Sequence, residues 1–175
     1  MDLILLSGNS KNTKNWIEEV EVKLKPLFNS THVHGYSHWN TDNNNKIDLG
    51  LELKNLTDYL KGKEDYVIFA KSAGAVLTLK GIFEKKIFPL KCVLVGIPTL
   101  WCKEEQVPLE KFIKDYSITT VFIQKDNDPL GKADELKNLL KRNNVKNFKI
   151  VEIPGEDHHY EDLDQIKEIV KNLIQ

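Results

Sequence analysis

Short runs of apolar residues recur along the chain and alternate with longer segments in which apolar positions have a helical spacing. Several of the short runs are continuous and β-branched, as expected for strands that are buried on both faces of a sheet. The pattern predicts strands at residues 3–6, 31–35, 66–70, 92–95, 120–124 and 148–153.

The segments between these runs predict helices, and residues 163–173 show the pattern most clearly because their apolar side chains fall on one stripe. The helices are expected at residues 13–27, 49–61, 73–85, 109–116, 131–142 and 163–173. Alternating strands and helices favour an α/β fold, doubly wound, with a six-stranded parallel sheet and helices on both faces. Such sheets bind ligands beyond the carboxyl ends of their strands, so the loops that follow the strands are the informative places.

The length, charge and cysteine content of the chain indicate its number of domains, its partners and its location in the cell. A chain of 175 residues forms one domain, residues 1–175, and buries about 70% of its unfolded surface. With 25 basic and 26 acidic side chains the formal net charge is −1, so we expect neither a nucleic acid nor a membrane as partner. Cys92 and Cys102 are too few for a disulfide framework and predict two reduced thiols. Without a signal-peptide pattern or an apolar run of roughly 20 residues, the protein is expected to be soluble and cytoplasmic.

One low-complexity patch, NTDNNNK at residues 40–46, is interpreted as a solvated loop. Its acidic and amide residues have some likeness to a calcium loop. We reject that interpretation because Ile47 stands where such a loop needs glycine, and Leu53 stands where it needs a bidentate glutamate.

Ser72 lies where the third predicted strand ends and the next helix begins, within the sequence AKSAG. A serine in this place is held on a tight turn that lifts its hydroxyl above the edge of the sheet. The turn requires small residues two positions before and two positions after the serine, and Ala70 and Gly74 meet that requirement. A close-packed strand-to-helix junction would explain the same residues, so this stretch alone leaves both interpretations open.

A serine nucleophile needs a general base and a group that orients the base. Asp126 and Asp128 follow the fifth predicted strand, and His158 and His159 follow the sixth, which gives the order Ser, Asp, His expected on this type of sheet. Each part has a simpler explanation: the aspartates as turn or helix-capping residues, and the histidines as a surface feature. The joint occurrence of the three motifs favours the catalytic interpretation.

The segment around the two histidines also offers a metal-binding interpretation. Asp157, His158, His159 and Glu161 are ligand types, but adjacent side chains point apart and no other histidine lies at a matching place. We therefore predict no metal site.

Over nearly its whole length, the sequence resembles the small, lidless serine hydrolases of the α/β-hydrolase superfamily and is similar to its dienelactone-hydrolase-like members. The segments that carry the resemblance are LILLSGNS, AKSAG, VFIQKDNDPLG and IPGEDHHY. The sequence departs from the family pattern at Ala70 and Lys125, where the family has glycine, and at Ser7, where it has histidine.

The resemblance implies a role for each matched residue. It makes Ser72 the nucleophile, Asp128 the acid and His158 the base, and it assigns the oxyanion hole to the backbone N–H groups of Asn9 and Ala73. By the same resemblance, Asp126 becomes a loop residue and His159 lies outside the triad.

The segments between the predicted elements are too short for a lid, so the site is expected to be open. The loops at residues 36–39 and 97–102 are candidate linings, with Trp39, Ile97 and Trp101 as candidate substrate-binding residues. Packing of Trp101 on the neighbouring helix is the alternative for that residue. An open site suits a small-molecule acyl substrate, and we expect no cofactor.

Two functions of different classes remain. The leading hypothesis is a serine hydrolase that cleaves a small carboxylic ester or thioester. The alternative is a non-catalytic binding or interaction module that retains the fold, because a fold alone does not establish a function. A nucleotide-binding domain is disfavoured because the chain has neither a G-x-G-x-x-G motif nor a phosphate loop.

Overall fold

A computed structural model describes residues 1–40 and 46–175, and within these residues six strands form one parallel sheet in the order β2-β1-β3-β4-β5-β6. The predicted doubly wound sheet is therefore confirmed. The strands are β1 (Asp2–Leu6), β2 (Thr31–His34), β3 (Tyr66–Lys71), β4 (Lys91–Val95), β5 (Thr119–Lys125) and β6 (Phe148–Ile153).

The helices cover both faces of this sheet. They are α1 (Thr13–Leu24), α2 (Leu49–Leu60), α3 (Ala73–Phe83), α4 (Thr99–Glu104), α5 (Leu109–Ile113), α6 (Ala133–Arg142) and α7 (Leu163–Ile174). Short 3-10 turns occupy Lys25–Leu27 and Ser37–Asn40. In the described part of the chain, no helix is long and apolar enough to span a membrane.

Two apolar layers sandwich the central strands. In β3 the side chains of Ile68 and Ala70 pack into one layer, together with α2 and α3. The side chains of Val67 and Phe69 pack into the other, together with α1 and α7. This burial on both faces explains why the strand is a continuous apolar run and not an alternating one.

The element boundaries differ from the prediction where local geometry ends a helix. Helix α1 ends at Leu24 and tightens into the 3-10 turn, because Pro26 has no N–H to donate. Helix α5 ends at Ile113, because Lys114 leaves helical geometry and Asp115 has a positive φ of 54°. Helix α6 begins at Ala133 because Lys132 is extended.

Two short elements correct the prediction of loops after β2 and β4. Residues 37–40 form the 3-10 turn, and residues 99–104 form helix α4, directly beyond the carboxyl ends of these strands. Both elements are too short to show a helical period in the sequence. The low-complexity patch at residues 40–46 lies almost wholly outside the described residues.

Candidate active site

Ser72 occupies the tight turn between β3 and α3, with φ of 53° and ψ of −120°. A non-glycine residue in such a conformation costs on the order of 1–3 kcal/mol, which the surrounding structure must offset. The backbone N–H of Ser72 donates to the Val95 carbonyl at 2.9 Å, and the Ser72 carbonyl accepts from Ala75 at 2.9 Å. The serine is 9% exposed. It is thus held at the end of the sheet in the geometry of a strand-to-helix elbow.

The small residues on either side of Ser72 allow this turn to approach β1. A Cβ atom on Gly74 would lie 2.5 Å from the Ser7 carbonyl oxygen and 2.8 Å from Leu6 Cβ, so no larger residue fits without a shift. The Gly74 N–H donates to that same carbonyl at 3.0 Å. Ala70 is fully buried between Leu6 and Leu94 of the adjacent strands. A methyl group therefore fits at position 70, where the family pattern has glycine.

The imidazole of His158 is hydrogen-bonded to the carboxylate of Asp128. The His158 Nδ1 atom lies 2.7 Å from Asp128 Oδ2 and 2.9 Å from Oδ1. Asp128 is 1% exposed, and its two oxygens also accept from the Tyr160 hydroxyl at 2.7 Å and from the Leu130 N–H at 2.9 Å. The carboxylate is therefore fully hydrogen-bonded and fixed in its orientation toward the imidazole.

Asp126 takes part in a different set of contacts. Its Oδ1 accepts from the N–H groups of Asn127 and Gly155, at 2.9 and 2.8 Å, and so connects the loops that follow β5 and β6. Asp128, not Asp126, is the aspartate that contacts His158.

The imidazole of His158 and the turn that holds Ser72 both contact the peptide between Val95 and Gly96. Gly96 follows Val95, whose carbonyl accepts the Ser72 N–H, and a Cβ atom on Gly96 would lie 2.9 Å from His158 Cε1. The positive φ of 60° at Gly96 also favours glycine. The Nε2 atom of His158 is buried and has no hydrogen-bond partner in the described residues. Among the described residues, one imidazole nitrogen of His158 is therefore paired with Asp128 and the other is unpaired.

The turn after β1 lies against the serine. A Cβ atom on Gly8 would lie 3.6 Å from Ser72 Cβ. Ser7 is fully buried, and its hydroxyl lies 2.8 Å from Thr13 Oγ1 and 3.0 Å from the Thr13 carbonyl. Among the described residues, neither the Asn9 N–H nor the Ala73 N–H has a hydrogen-bond acceptor.

The three candidate lining residues are less exposed than an open site requires. Ile97 has no exposed surface, and its N–H donates to the buried Gln124 amide oxygen at 2.7 Å. Trp39 is 5% exposed, and its indole N–H donates to the Asn9 carbonyl at 3.1 Å. Trp101 is partly buried and packs against the apolar layer that contains α3, as the alternative for this residue expected. Of the three, Trp101 alone presents more than a marginal surface to solvent.

The side chains that were considered as metal ligands are engaged otherwise. Asp157 accepts from the Lys125 ammonium at 2.9 Å and from the His159 N–H at 2.6 Å, while His158 Nδ1 is taken by Asp128. Among the described residues, no group of three or more His, Cys, Asp or Glu side chains is placed to hold a metal ion.

Sequence reasoning missed Tyr160 and Lys71, which complete the surroundings of Asp128. Burial and the neighbouring carboxylate both raise the pKa of Tyr160, so its hydroxyl stays protonated and donates to Asp128. Lys71 is 3% exposed, and its ammonium lies 4.6 Å from the centre of the Trp16 ring and 5.8 Å from that of Tyr160. Burial lowers the pKa of Lys71 to about 8, although the Asp128 carboxylate acts in the opposite direction. The position of Lys71, directly before Ser72 in the sequence, is the one local feature that indicates a lysine close to the site.

Replacing Lys71 with methionine should stabilise the protein at pH 7. Below pH 8 the folded state carries a buried ammonium, whereas the unfolded chain keeps its proton up to about pH 10.5. The unfolded state therefore binds more protons between these values, and the stability of the wild type rises with pH across that window. We expect Lys71→Met to raise the free energy of unfolding on the order of 2 kcal/mol at pH 7, and by much less near pH 10.

Urea unfolding at both pH values measures this difference. The exposed Lys114 provides a matched control, since Lys114→Met should change stability little at either pH. A loss of stability in Lys71→Met at pH 7, or a gain that is independent of pH, would show that the buried charge is not costly.

Several solved protein structures have the same arrangement of strands and helices as this chain. The chain is similar to Est1E from Butyrivibrio proteoclasticus, with ferulic acid bound, at a TM-score of 0.78 and 17% identity over 99% of this chain and 87% of Est1E. It is also similar to alpha/beta hydrolase domain-containing protein 10 from mouse, at a TM-score of 0.72 and 12% identity over 99% and 89% of the two chains. The chain has the α/β-hydrolase fold.

The same α/β-hydrolase fold is shared with the RedJ thioesterase of the prodiginine biosynthetic pathway in Streptomyces coelicolor. That match has a TM-score of 0.71 and 11% identity over 99% of this chain and 90% of RedJ. No protein-family model matches the sequence, and no curated protein sequence matches it. The closer resemblance to dienelactone-hydrolase-like members stays a prediction.

Proposed function

We propose that the protein is a serine hydrolase that cleaves a small carboxylic ester or thioester through an acyl-enzyme on Ser72. One observation carries this proposal: His158 is oriented by the buried Asp128, and its ring lies against Gly96, whose neighbour Val95 accepts the N–H of the strained Ser72. Nucleophilic catalysis by a serine requires a general base within reach and a third group that orients the base.

In the proposed reaction, His158 Nε2 accepts the proton of the Ser72 hydroxyl as the serine oxygen attacks the acyl carbonyl. Asp128 holds the Nδ1–H tautomer and stabilises the imidazolium that forms. The imidazolium then gives its proton to the departing alcohol or thiol, which leaves the acyl group on Ser72. A water molecule, deprotonated by His158, attacks this ester, and the imidazolium returns the proton to the Ser72 oxygen as the carboxylic acid is released.

The charge that develops on the carbonyl oxygen needs donors that are already in place. The N–H groups of Asn9 and Ala73 are the proposed pair, since Gly8 touches the serine and Ala73 follows it at the start of α3. The helix N-terminus at Ala73 adds favourable partial positive charge at the same point. Each donor is expected to contribute about 3–4 kcal/mol to stabilisation of the transition state.

The comparisons support the choice of ester and thioester substrates, because neighbours of the same fold include a protein bound to ferulic acid and a thioesterase. The alternative, a non-catalytic module, gives no reason for the strain at Ser72 or for the unpaired nitrogen of His158. A cytoplasmic location also belongs to the proposal, supported by Cys92 and Cys102, which are both buried and unpaired.

A panel of p-nitrophenyl esters of increasing acyl chain length tests the proposed activity. The wild type should hydrolyse the short esters, and Ser72→Ala should lower kcat by about 10⁶-fold, because the nucleophile is lost. Ser117, which is exposed before the amino-terminal end of β5, gives a matched control, and Ser117→Ala should keep the full rate. Equal rates in wild type and Ser72→Ala would exclude the acyl-enzyme on Ser72.

A further inference from the structure

The 3-10 turn Ser37–Asn40 contacts the turn after β1 at its backbone. The indole N–H of Trp39 donates to the Asn9 carbonyl at 3.1 Å, and His38 Nε2 lies 2.7 Å from the same oxygen. The hydroxyl of Tyr36, just before this turn, donates to the Ser7 carbonyl at 2.8 Å. The segment that follows β2 therefore holds both ends of the residues that lie against Ser72.

Asn9 is held at its carbonyl oxygen and at its side-chain oxygen. Its side-chain Oδ1 accepts from the Ile47 N–H at 2.7 Å, and its carbonyl takes the contacts from His38 and Trp39. Its own N–H is left without an acceptor among the described residues. Contacts that fix the carbonyl and the side chain also fix the position of the N–H, because they leave the backbone of Asn9 little freedom.

A buried carboxylate in turn fixes the segment that carries Trp39. Glu52 of α2 is 1% exposed, and its Oε1 accepts from the Ser37 N–H at 2.7 Å. Its Oε2 lies 3.4 Å from Nε2 of the buried His34. The hydrogen bond from the Ser37 N–H to this buried side chain fixes the start of the 3-10 turn, because a hydrogen bond in the protein interior is stronger than one exposed to water. The Tyr36 and Trp39 rings pack edge to face, with centroids 4.9 Å apart, and stiffen the same turn.

We infer that Trp39 is a positioning residue for the oxyanion hole and not a substrate-binding residue. It acts through Asn9: its indole N–H holds the carbonyl of Asn9, so that the Asn9 N–H points at the oxygen of the reacting carbonyl. Glu52 supports this arrangement by fixing the turn on which Trp39 lies. The inference rests on the proposed hydrolase function and replaces the role that the sequence assigned to Trp39.

Trp39→Phe tests the inference, because it keeps a buried aromatic ring and removes the N–H donor. We expect kcat per active site, counted with a fluorophosphonate, to fall by about 10-fold, a part of the 10²–10³-fold expected when an oxyanion donor is lost outright. The affinity for a trifluoromethyl ketone should fall by a similar factor, because the ketone carbonyl adds the Ser72 oxygen and the resulting hemiketal places an oxyanion in the same hole. KM for the ester should stay within about twofold.

Tyr116→Phe is the matched control. Tyr116 is also a buried aromatic residue with a hydrogen-bonded polar atom, and its hydroxyl lies 2.7 Å from the Thr120 hydroxyl at the other end of the sheet. This variant should lower the melting temperature while kcat and ketone affinity stay at the wild-type values. A second variant, His38→Phe, removes the other contact to the Asn9 carbonyl at a partly exposed position and should reproduce the loss of kcat and of ketone affinity.

The outcomes separate the inference from the proposed function. A wild type that hydrolyses esters, with Trp39→Phe and His38→Phe unchanged in kcat and ketone affinity, overturns the inference alone. A rise in KM with unchanged kcat in Trp39→Phe also overturns it and restores a substrate-binding role. A folded wild type that neither reacts with the fluorophosphonate nor hydrolyses any ester overturns both.

Discussion

Replacing His158 with alanine should lower kcat for a p-nitrophenyl ester by about 10⁶-fold, as much as the loss of the serine itself. The reason is that the two residues act as one unit. Without the imidazole nitrogen, the Ser72 hydroxyl keeps its proton and remains a weak nucleophile. Because His158 is partly exposed and contributes mainly the contact to Asp128, the variant should still fold.

His159→Ala is the control for this change. His159 is exposed, and its backbone N–H bonds to Asp157, so its side chain is not needed for the loop. Rates of both variants, together with their circular dichroism spectra, separate chemistry from folding. A His158→Ala variant that keeps most of its activity, or a His159→Ala variant that loses it, would contradict the assignment of the base.

Asp128→Asn should lower kcat by about 10⁴-fold. The aspartate accepts hydrogen bonds from His158, Tyr160 and the Leu130 N–H, and asparagine has one acceptor oxygen fewer. If that oxygen serves Leu130, the amide NH₂ faces the imidazole and forces the tautomer in which Nε2 carries the hydrogen. In that tautomer, His158 cannot accept the proton of Ser72.

Asp126→Asn distinguishes the two aspartates of the β5 loop. Asp126 bonds to the backbone of Asn127 and Gly155, so its replacement should weaken the loop and lower the melting temperature while kcat stays within about tenfold. Measuring kcat and the melting temperature of Asp126→Asn and Asp128→Asn shows which aspartate orients His158. A larger loss of kcat in Asp126→Asn than in Asp128→Asn would show that the loop was assigned incorrectly.

Much of the fold follows from the sequence because strands that are buried on both faces leave a strong local signal. β3 and β4 are continuous apolar runs, and the polar residues that follow the strands meet at one edge of a parallel sheet. That edge is where the structure places the serine turn and the contact between His158 and Asp128. Short elements such as α4 have too few residues to show a helical period, so no local sequence pattern predicts them.

The supporting residues of the site were not predictable in the same way. In the sequence, Trp39 and Tyr160 count as apolar positions. In the structure, one end of each ring packs against apolar neighbours while the other end donates a hydrogen bond. Their partners, Asn9 and Asp128, lie 30 and 32 positions away along the chain. Contacts at such separations depend on how the elements pack, and no local pattern encodes them.

Reaction of the folded protein with a fluorophosphonate, read by intact mass and by peptide mapping, tests the proposed nucleophile. We expect one adduct per chain, located on Ser72, absent in Ser72→Ala and strongly slowed in His158→Ala. A folded protein that stays unlabelled, or an adduct that maps to another residue, would contradict that assignment.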